Sequence, residues 1–376
     1  MTGSIIIAHA VSQTWVIIGV LLAVLISFSR PIRYGELLSI GATQELKGVA
    51  ILAVLFGHVG LFLVNDHRFL FPLSTCSGVG VNIFLFLSGY GLTFGMLKKP
   101  LPVADFYRKR ALKIFIPFWI ALIGFIVLDA IALNRTYSPT YILHSLLGFF
   151  PRADMNADIN SVFWYITWIL GYYLLFPAVF MRQRVWVSAL ILFALGEGLV
   201  LWNPSLVKDV IHLYEVHTAA FPLGMLTASL LFEVRGRRNA VAEALRAWRA
   251  RLNGVRYYAV ILLLAAIVLY SAYDSGVGEN TIKEQIMSMV TTLSLVAAFA
   301  VKRIEFRALT LFGIFSYEIY LFHWPLLSRY DVIYHALPAA AATFANLGVL
   351  IAVGWMTQHL AASIASGRQS NQGKRQ

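Results

Sequence analysis

Apolar stretches separated by short polar segments make up nearly all of this chain. Scanned for runs of about 17 to 25 residues, the length a helix needs to cross a bilayer, the sequence yields about eleven. They lie near residues 4–28, 46–65, 79–97, 111–133, 160–181, 185–201, 213–233, 256–274, 285–301, 308–328 and 337–363. Two are marginal: 185–201 is short and holds Glu197, and 213–233 begins with Glu215 and His217. No repeat of about 20–50 residues is visible. The pattern predicts an all-α fold, a polytopic membrane helical bundle of about eleven transmembrane helices. It forms a single membrane domain over residues 1–376, with an N-terminal helix at 4–28, a core at 40–363 and a short cytoplasmic tail at 364–376.

Composition supports the same class. Of the 376 residues, 59% are apolar and 13% charged, against about 25% charged in soluble domains. Mean hydropathy is +0.73. The net charge of +12 would suggest nucleic acid in a soluble chain. Here the basic residues instead alternate between successive loops. Only Arg68, Arg135, Arg152, Lys208, Lys283 and Arg329 fall in one set; the rest of the 30 fall in the other. The positive-inside rule makes the richer set cytoplasmic. The first run lacks a basic flank before it and has Arg30-Pro31-Ile32-Arg33 after it. It reads as a retained helix with its N-terminus outside, not a cleaved signal. Cys76 is the single cysteine, which excludes a disulfide framework and a cysteine metal site.

Two inter-span segments stand out. Glu233 to Arg256 is basic and amphipathic, suited to lying on the membrane surface. Asn134 to Asn160 is the longest segment on the opposite side and is read as a cap over an outward-facing site.

Candidate chemistry comes from ionisable residues at membrane depth, which are costly there and mark function by default. His58 sits in the run Gly48 to Val64, and Lys47 opens that run. Eleven positions of helix give about 16 Å of rise and a rotation within roughly 20° of whole turns, so the two share a face. The cation is expected near one surface and the imidazole about halfway across. Arg108, Lys109, Arg110 and Lys113 cluster before the fourth run. Arg110 and Lys113 are neighbours on one helical face and form a fork able to hold phosphate, although a positive-inside flank would look the same. Asn82 is a polar amide in a glycine-rich helix whose other small residues serve close helix approach. Tyr317, Tyr320 and His323 lie in Phe315 to Leu327, with His323 toward the outer half. The aromatics of Ser161 to Phe180 read as interfacial belt and core. No Walker loop, dinucleotide fingerprint, HExxH or G-x-S-x-G motif is present.

Four blocks, taken in order, resemble the acyltransferase family 3 membrane proteins. They are Lys47-Gly48-Val49-Ala50 through His58, Gly80-Val81-Asn82 through Ser88-Gly89-Tyr90, Phe106 through Pro117 with Arg110 and Lys113 in its basic positions, and Ser316-Tyr317 through His323. Their order and spacing match over roughly residues 40 to 330. Lysine stands at 47 and 113 where the family more often has arginine, keeping the charge and losing the bidentate fork.

The resemblance implies a core of about ten helices with the first helix added. It implies transfer of an acyl group, often acetyl, from cytoplasmic acyl-CoA to a hydroxyl of an extracytoplasmic or lipid-linked glycan, in the bacterial inner membrane, with no metal. On this reading Lys47, Arg108, Arg110 and Lys113 bind the donor. His58 is general base or acyl carrier, Asn82 and Tyr317 position the oxyanion or hydroxyl, and His323 is a second candidate. The competing readings are a proton-coupled transporter or flippase, for which paired broken helices would speak, and a glycan polymerase or ligase.

Overall fold

The computed structural model describes residues 5–32, 36–232, 239–276 and 282–373, with side chains described to Ile364. Arg33, Arg235, Arg237, Arg238, Lys374 and Arg375 of the richer basic set lie outside the described residues, as do the ends of the predicted first helix and tail.

The chain begins with Ala10–Ser27 (α1), Ile40–Leu61 (α2), Ser77–Lys98 (α3) and Val103–Ala132 (α4). Then come the short Pro139–Leu146 (α5), Trp164–Val179 (α6), Val185–Trp202 (α7), Ile211–Glu215 (α8) and Ala220–Leu231 (α9). Ala240–Arg251 (α10), Gly254–Tyr273 (α11), Ile282–Val301 (α12), Arg307–Ile314 (α13), Ser316–Leu327 (α14), Ile333–Ala336 (α15) and Ala339–Gly373 (α16) complete it. The fold is the expected helical membrane bundle. Among the described residues nine helices are long and apolar enough to cross a bilayer.

The two other predicted runs are broken. Residues 213–233 divide into α8 and α9 around a turn at 216–219, and residues 308–328 divide into α13 and α14 at Phe315. The expectation of continuous spans is corrected at these two places. A hydropathy window reads composition, and composition does not register a change of backbone direction. The breaks are tolerated because Val216, His217, Thr218 and Phe315 are buried in protein. Helix α9 lies along α3, and α13 along α2. Each pair is joined by reciprocal glycines: a Cβ on Gly89 would strike the carbonyl of Phe221, and one on Gly224 that of Phe86. Gly48 faces the Leu309 carbonyl and Gly313 that of Gln44 in the same way. Backbones this close need residues without side chains.

At the basic end, Ser29–Pro31 (β1) pairs antiparallel with Ile304–Phe306 (β2). Beside it the buried carboxylate of Glu45 accepts from Lys302 Nζ at 2.7 Å and from the Phe306 amide at 2.8 Å. Lys302 also lies over the rings of Phe299 and Phe306. These contacts fix the start of α2. Helix α10 forms within the predicted amphipathic segment, capped by Asn239, whose side chain accepts from the Val241 and Ala242 amides. It exposes Val241, Leu245 and Trp248.

At the opposite end the extra N-terminal segment docks on the core. The Ile5 amide donates to the Phe62 carbonyl at 2.9 Å, and Asn65 holds the Ile7 backbone through both its amide atoms. The segment 134–160 packs on the bundle at this end. Arg152 bridges the buried Asp158 at 2.7 Å, and Asn160 donates to the Leu321 carbonyl at 3.0 Å. Asp129 and Arg329 pair through two bonds of 2.8 Å, tying the end of α4 to the end of α14.

Candidate active site

Helix α2 starts at Ile40, where Ser39 caps it by accepting from the Ala42 amide at 3.2 Å. Hydropathy placed its start near Leu46. Lys47 is therefore two turns inside the helix, and His58 lies one turn from its end at Leu61. His58 thus lies nearer the end of the helix than the apolar run alone implies. The shared face survives, because it depends only on the eleven-residue spacing.

Lys47, Arg110 and Lys113 line one cavity of about 460 Å³, which lies within the usual range of small-molecule sites. Arg108 is exposed and is not part of its lining. The three cations act electrostatically on one another. The nearest compensation is Glu318, which acts on Lys113 and whose carboxylate accepts from Gln358 Nε2 at 3.0 Å. Three cations facing one space against a single carboxylate leave a site complementary to an anion. From this basic end the cavity runs between α3, α4, α6 and α14. Ser88 and Tyr173 line it midway, with the Tyr173 hydroxyl donating to Ser88 Oγ at 3.2 Å. Tyr317 lines it too and donates to the Ile114 carbonyl at 3.0 Å. By position along their helices, Phe84, Tyr165 and Tyr320 close the far end.

His58 and His323 do not line this cavity. They form a pair beyond it: Tyr320 lines the cavity, and its ring centroid is 6.1 Å from that of His323. The lining between the cations and this pair comes from α14, α3 and α6. His58 Nδ1 is 2.7 Å from His323 Nε2, with ring centroids 5.0 Å apart and planes 7° apart. Each nitrogen sits one ring radius from its centroid, so these values put both nitrogens nearly on the line between the centroids. The rings meet edge to edge in one plane, the geometry of a well-aligned hydrogen bond. His323 is fully buried, and its Nδ1 is 2.8 Å from the Tyr320 carbonyl. Trp324 meets His58 edge-on at 5.1 Å, and Phe62 meets Trp324 at 4.8 Å. His58 is half-buried, and its Nε2 makes no hydrogen bond among the described residues.

Asn82 falls elsewhere. Fully buried, it donates to Ser288 Oγ at 2.8 Å and accepts from His217 Nδ1 at 2.8 Å. His217 in turn stacks on Trp164 with centroids 5.7 Å apart. This second cluster joins α3, α12 and the turn between α8 and α9. It includes neither His58 nor His323. Among the described residues no group of histidine, cysteine and carboxylate side chains is placed to hold a metal.

Sequence reasoning did not assign Tyr165 and Tyr173 to the site, because an aromatic-rich span looks like interfacial belt. A signal existed: Ile166, Ile169 and Tyr173 recur at helical spacing on one stripe of α6, the stripe that lines the cavity.

A polytopic helical bundle whose basic cavity ends one side chain from a histidine pair defines a membrane protein with a site among its helices. A family model described as an acyltransferase domain matches residues 46–358. The chain belongs to acyltransferase family 3 and is an integral membrane acyltransferase. No curated protein and no solved structure matches it.

Proposed function

We propose that this protein transfers an acyl group, commonly acetyl, from acyl-CoA to a hydroxyl of an extracytoplasmic or lipid-linked glycan. The observation that carries the reading is the convergence of Lys47, Arg110 and Lys113, from two helices, on the mouth of one cavity directed at the histidine pair. The phosphates of coenzyme A supply the multiple anionic charge such a mouth suits. The pantetheine arm is narrow and flexible and would occupy the tyrosine-lined passage. On this reading the basic end faces the cytoplasm, the N-terminus lies outside and the C-terminus inside, in a bacterial inner membrane. The two broken spans also occur in transporters, but membership of an acyltransferase family favours chemistry over transport.

His58 acts as general base. Its Nε2 takes the acceptor hydroxyl proton as that oxygen attacks the thioester carbonyl, giving a tetrahedral oxyanion. Collapse breaks the C–S bond, and the proton on His58 passes to the departing thiolate. The glycan ester and free coenzyme A result, and the imidazole returns to its starting form.

The test is incubation of purified, lipid-reconstituted protein with labelled acetyl-CoA and candidate glycans. Wild type should label a glycan, and folded His58→Ala should not. Undiminished transfer by His58→Ala would end this reading.

A further inference from the structure

We infer that His323 is a positioning residue that sets the tautomer of His58 and so turns its basic nitrogen outward from the pair. The inference rests on the acyl-transfer reading above and adds the means by which His58 is made competent.

The argument starts from an atom with only one option. The Tyr320 carbonyl can accept but never donate. His323 Nδ1, 2.8 Å from it and 3.2 Å from the Ile319 carbonyl, must therefore carry a hydrogen. Among the described residues no carboxylate bonds to either ring. A buried imidazolium here would be an uncompensated charge, so both rings are neutral. Neutral His323 with its hydrogen on Nδ1 presents a bare lone pair at Nε2. That lone pair lies 2.7 Å from His58 Nδ1, in the common plane of the rings. Two lone pairs cannot face each other at that distance, so His58 Nδ1 carries a hydrogen and donates it. The second lone pair of the relay then falls on His58 Nε2, the atom without a hydrogen-bond partner among the described residues.

The chain of constraint runs from a helix carbonyl through one ring into the other. Which nitrogen of a histidine is protonated is set by the bond the other one makes. Here a neutral imidazole does what a carboxylate does in a hydrolase triad, fixing tautomer and ring orientation. The support is itself fixed. Residues 159–162 pin α14 on either side of His323, through Asn160 to the Leu321 carbonyl, Tyr320 Oη to the Val162 carbonyl at 2.5 Å, and Arg329 to the Ile159 carbonyl at 2.5 Å. When His58 takes up a proton at Nε2, its Nδ1–H remains bonded to His323, so no donor is stranded at the moment of transfer.

The test pairs two substitutions with a spectrum. His323→Phe removes the acceptor; kcat should fall about 100-fold or more while the donor KM holds, since a wrong tautomer is catalytically severe. His323→Gln can turn its NH2 to the helix carbonyl and its oxygen to His58, and should recover kcat to within about tenfold of wild type. In 15N NMR of wild type, His58 (assigned by loss of its signals in His58→Gln) should show hydrogen on Nδ1 and none on Nε2. That observation does not depend on any variant folding. A His58 protonated on Nε2 in wild type would overturn the inference, as would equal losses in His323→Phe and His323→Gln. In either case an inactive His58→Ala would leave the acyl-transfer reading standing. Activity in His58→Ala would remove both.

Discussion

Tyr320 separates the basic cavity from His323: its ring lines the one and lies 6.1 Å, centroid to centroid, from the other. Its hydroxyl is held by the Val162 carbonyl at 2.5 Å. On the proposed reading, an acyl group carried up the cavity has to pass this ring to reach His58. Tyr320→Trp adds bulk at the partition and should lower kcat at least about tenfold, since small misplacements at a reacting centre are costly. The donor KM should stay unchanged, because the cations lie at the other end. Tyr320→Phe forfeits one hydrogen bond, about 1 kcal/mol net, frees the ring to move, and should keep kcat at or above wild type. Steady-state kinetics decide it. An undiminished kcat in Tyr320→Trp would mean the acyl group arrives by another route.

The three cations at the mouth make a graded prediction for donor binding. A hydrogen bond to a charged group is worth about 1.5–3 kcal/mol, or roughly 10- to 150-fold in affinity. Arg110→Ala, Lys47→Ala and Lys113→Ala should each weaken acetyl-CoA binding by that order, measured by calorimetry. Arg108→Ala should weaken it far less, because Arg108 is outside the cavity lining. Comparison with a coenzyme A analogue lacking one phosphate should shrink the effect of whichever cation holds that group. Equal losses at Arg108 and Arg110 would place the phosphates outside this cavity.

The bundle was legible in the sequence because burial in lipid demands long apolar helices, and nothing else can satisfy the backbone there. The Lys47–His58 face was legible too, since helical periodicity is fixed. What the sequence could not carry was depth and partnership. Helix α2 begins at Ile40 because Ser39 caps it, and a polar first turn is invisible to a hydropathy scan. The breaks at Phe315 and at 216–219 lie inside runs that are apolar only on average, and a window average does not register the polar residues beside each break. His58 meets His323 across 265 positions, and Asn82 meets His217 across 135. Both histidines were visible as candidates, but only packing of α2 against α14 brings one pair together, and only packing of α9 against α3 sends Asn82 to the other cluster.

Asp129 should be the costliest single loss at the end opposite the basic loops. Its fully buried carboxylate accepts two bonds from Arg329, one from Tyr137 and one from Tyr330. Replacing it by alanine strands a guanidinium that is itself only 11% exposed. Breaking such a pair from one side costs about 3–5 kcal/mol, so Asp129→Ala should lower the apparent Tm in detergent by several degrees. The Arg68–Asp66 pair has a similar contact distance, 2.7 Å, but its arginine is 73% exposed. Arg68→Ala should leave the Tm unchanged. Matching shifts in the two variants would refute the argument from burial.

Two glycines on α3 give opposite predictions from the same substitution. Gly89 faces α9, where an added Cβ would overlap the Phe221 carbonyl. A backbone atom cannot rotate away, so α3 and α9 would have to separate, and overfilling of this kind costs about 1–3 kcal/mol. Alanine gains about 0.5–1 kcal/mol over glycine in a helix, which does not offset that. Gly89→Ala should therefore lower the apparent Tm. Gly91, half a turn on, has nothing within 4 Å of its notional Cβ and lines the cavity. Gly91→Ala should keep or slightly raise the Tm, because only the helix gain applies there. Its methyl group narrows the donor passage instead, so the acetyl-CoA KM should rise while the fold is untouched. If Gly89→Ala were as stable as wild type, the close approach of α9 to α3 would not be the contact that holds the broken span in place.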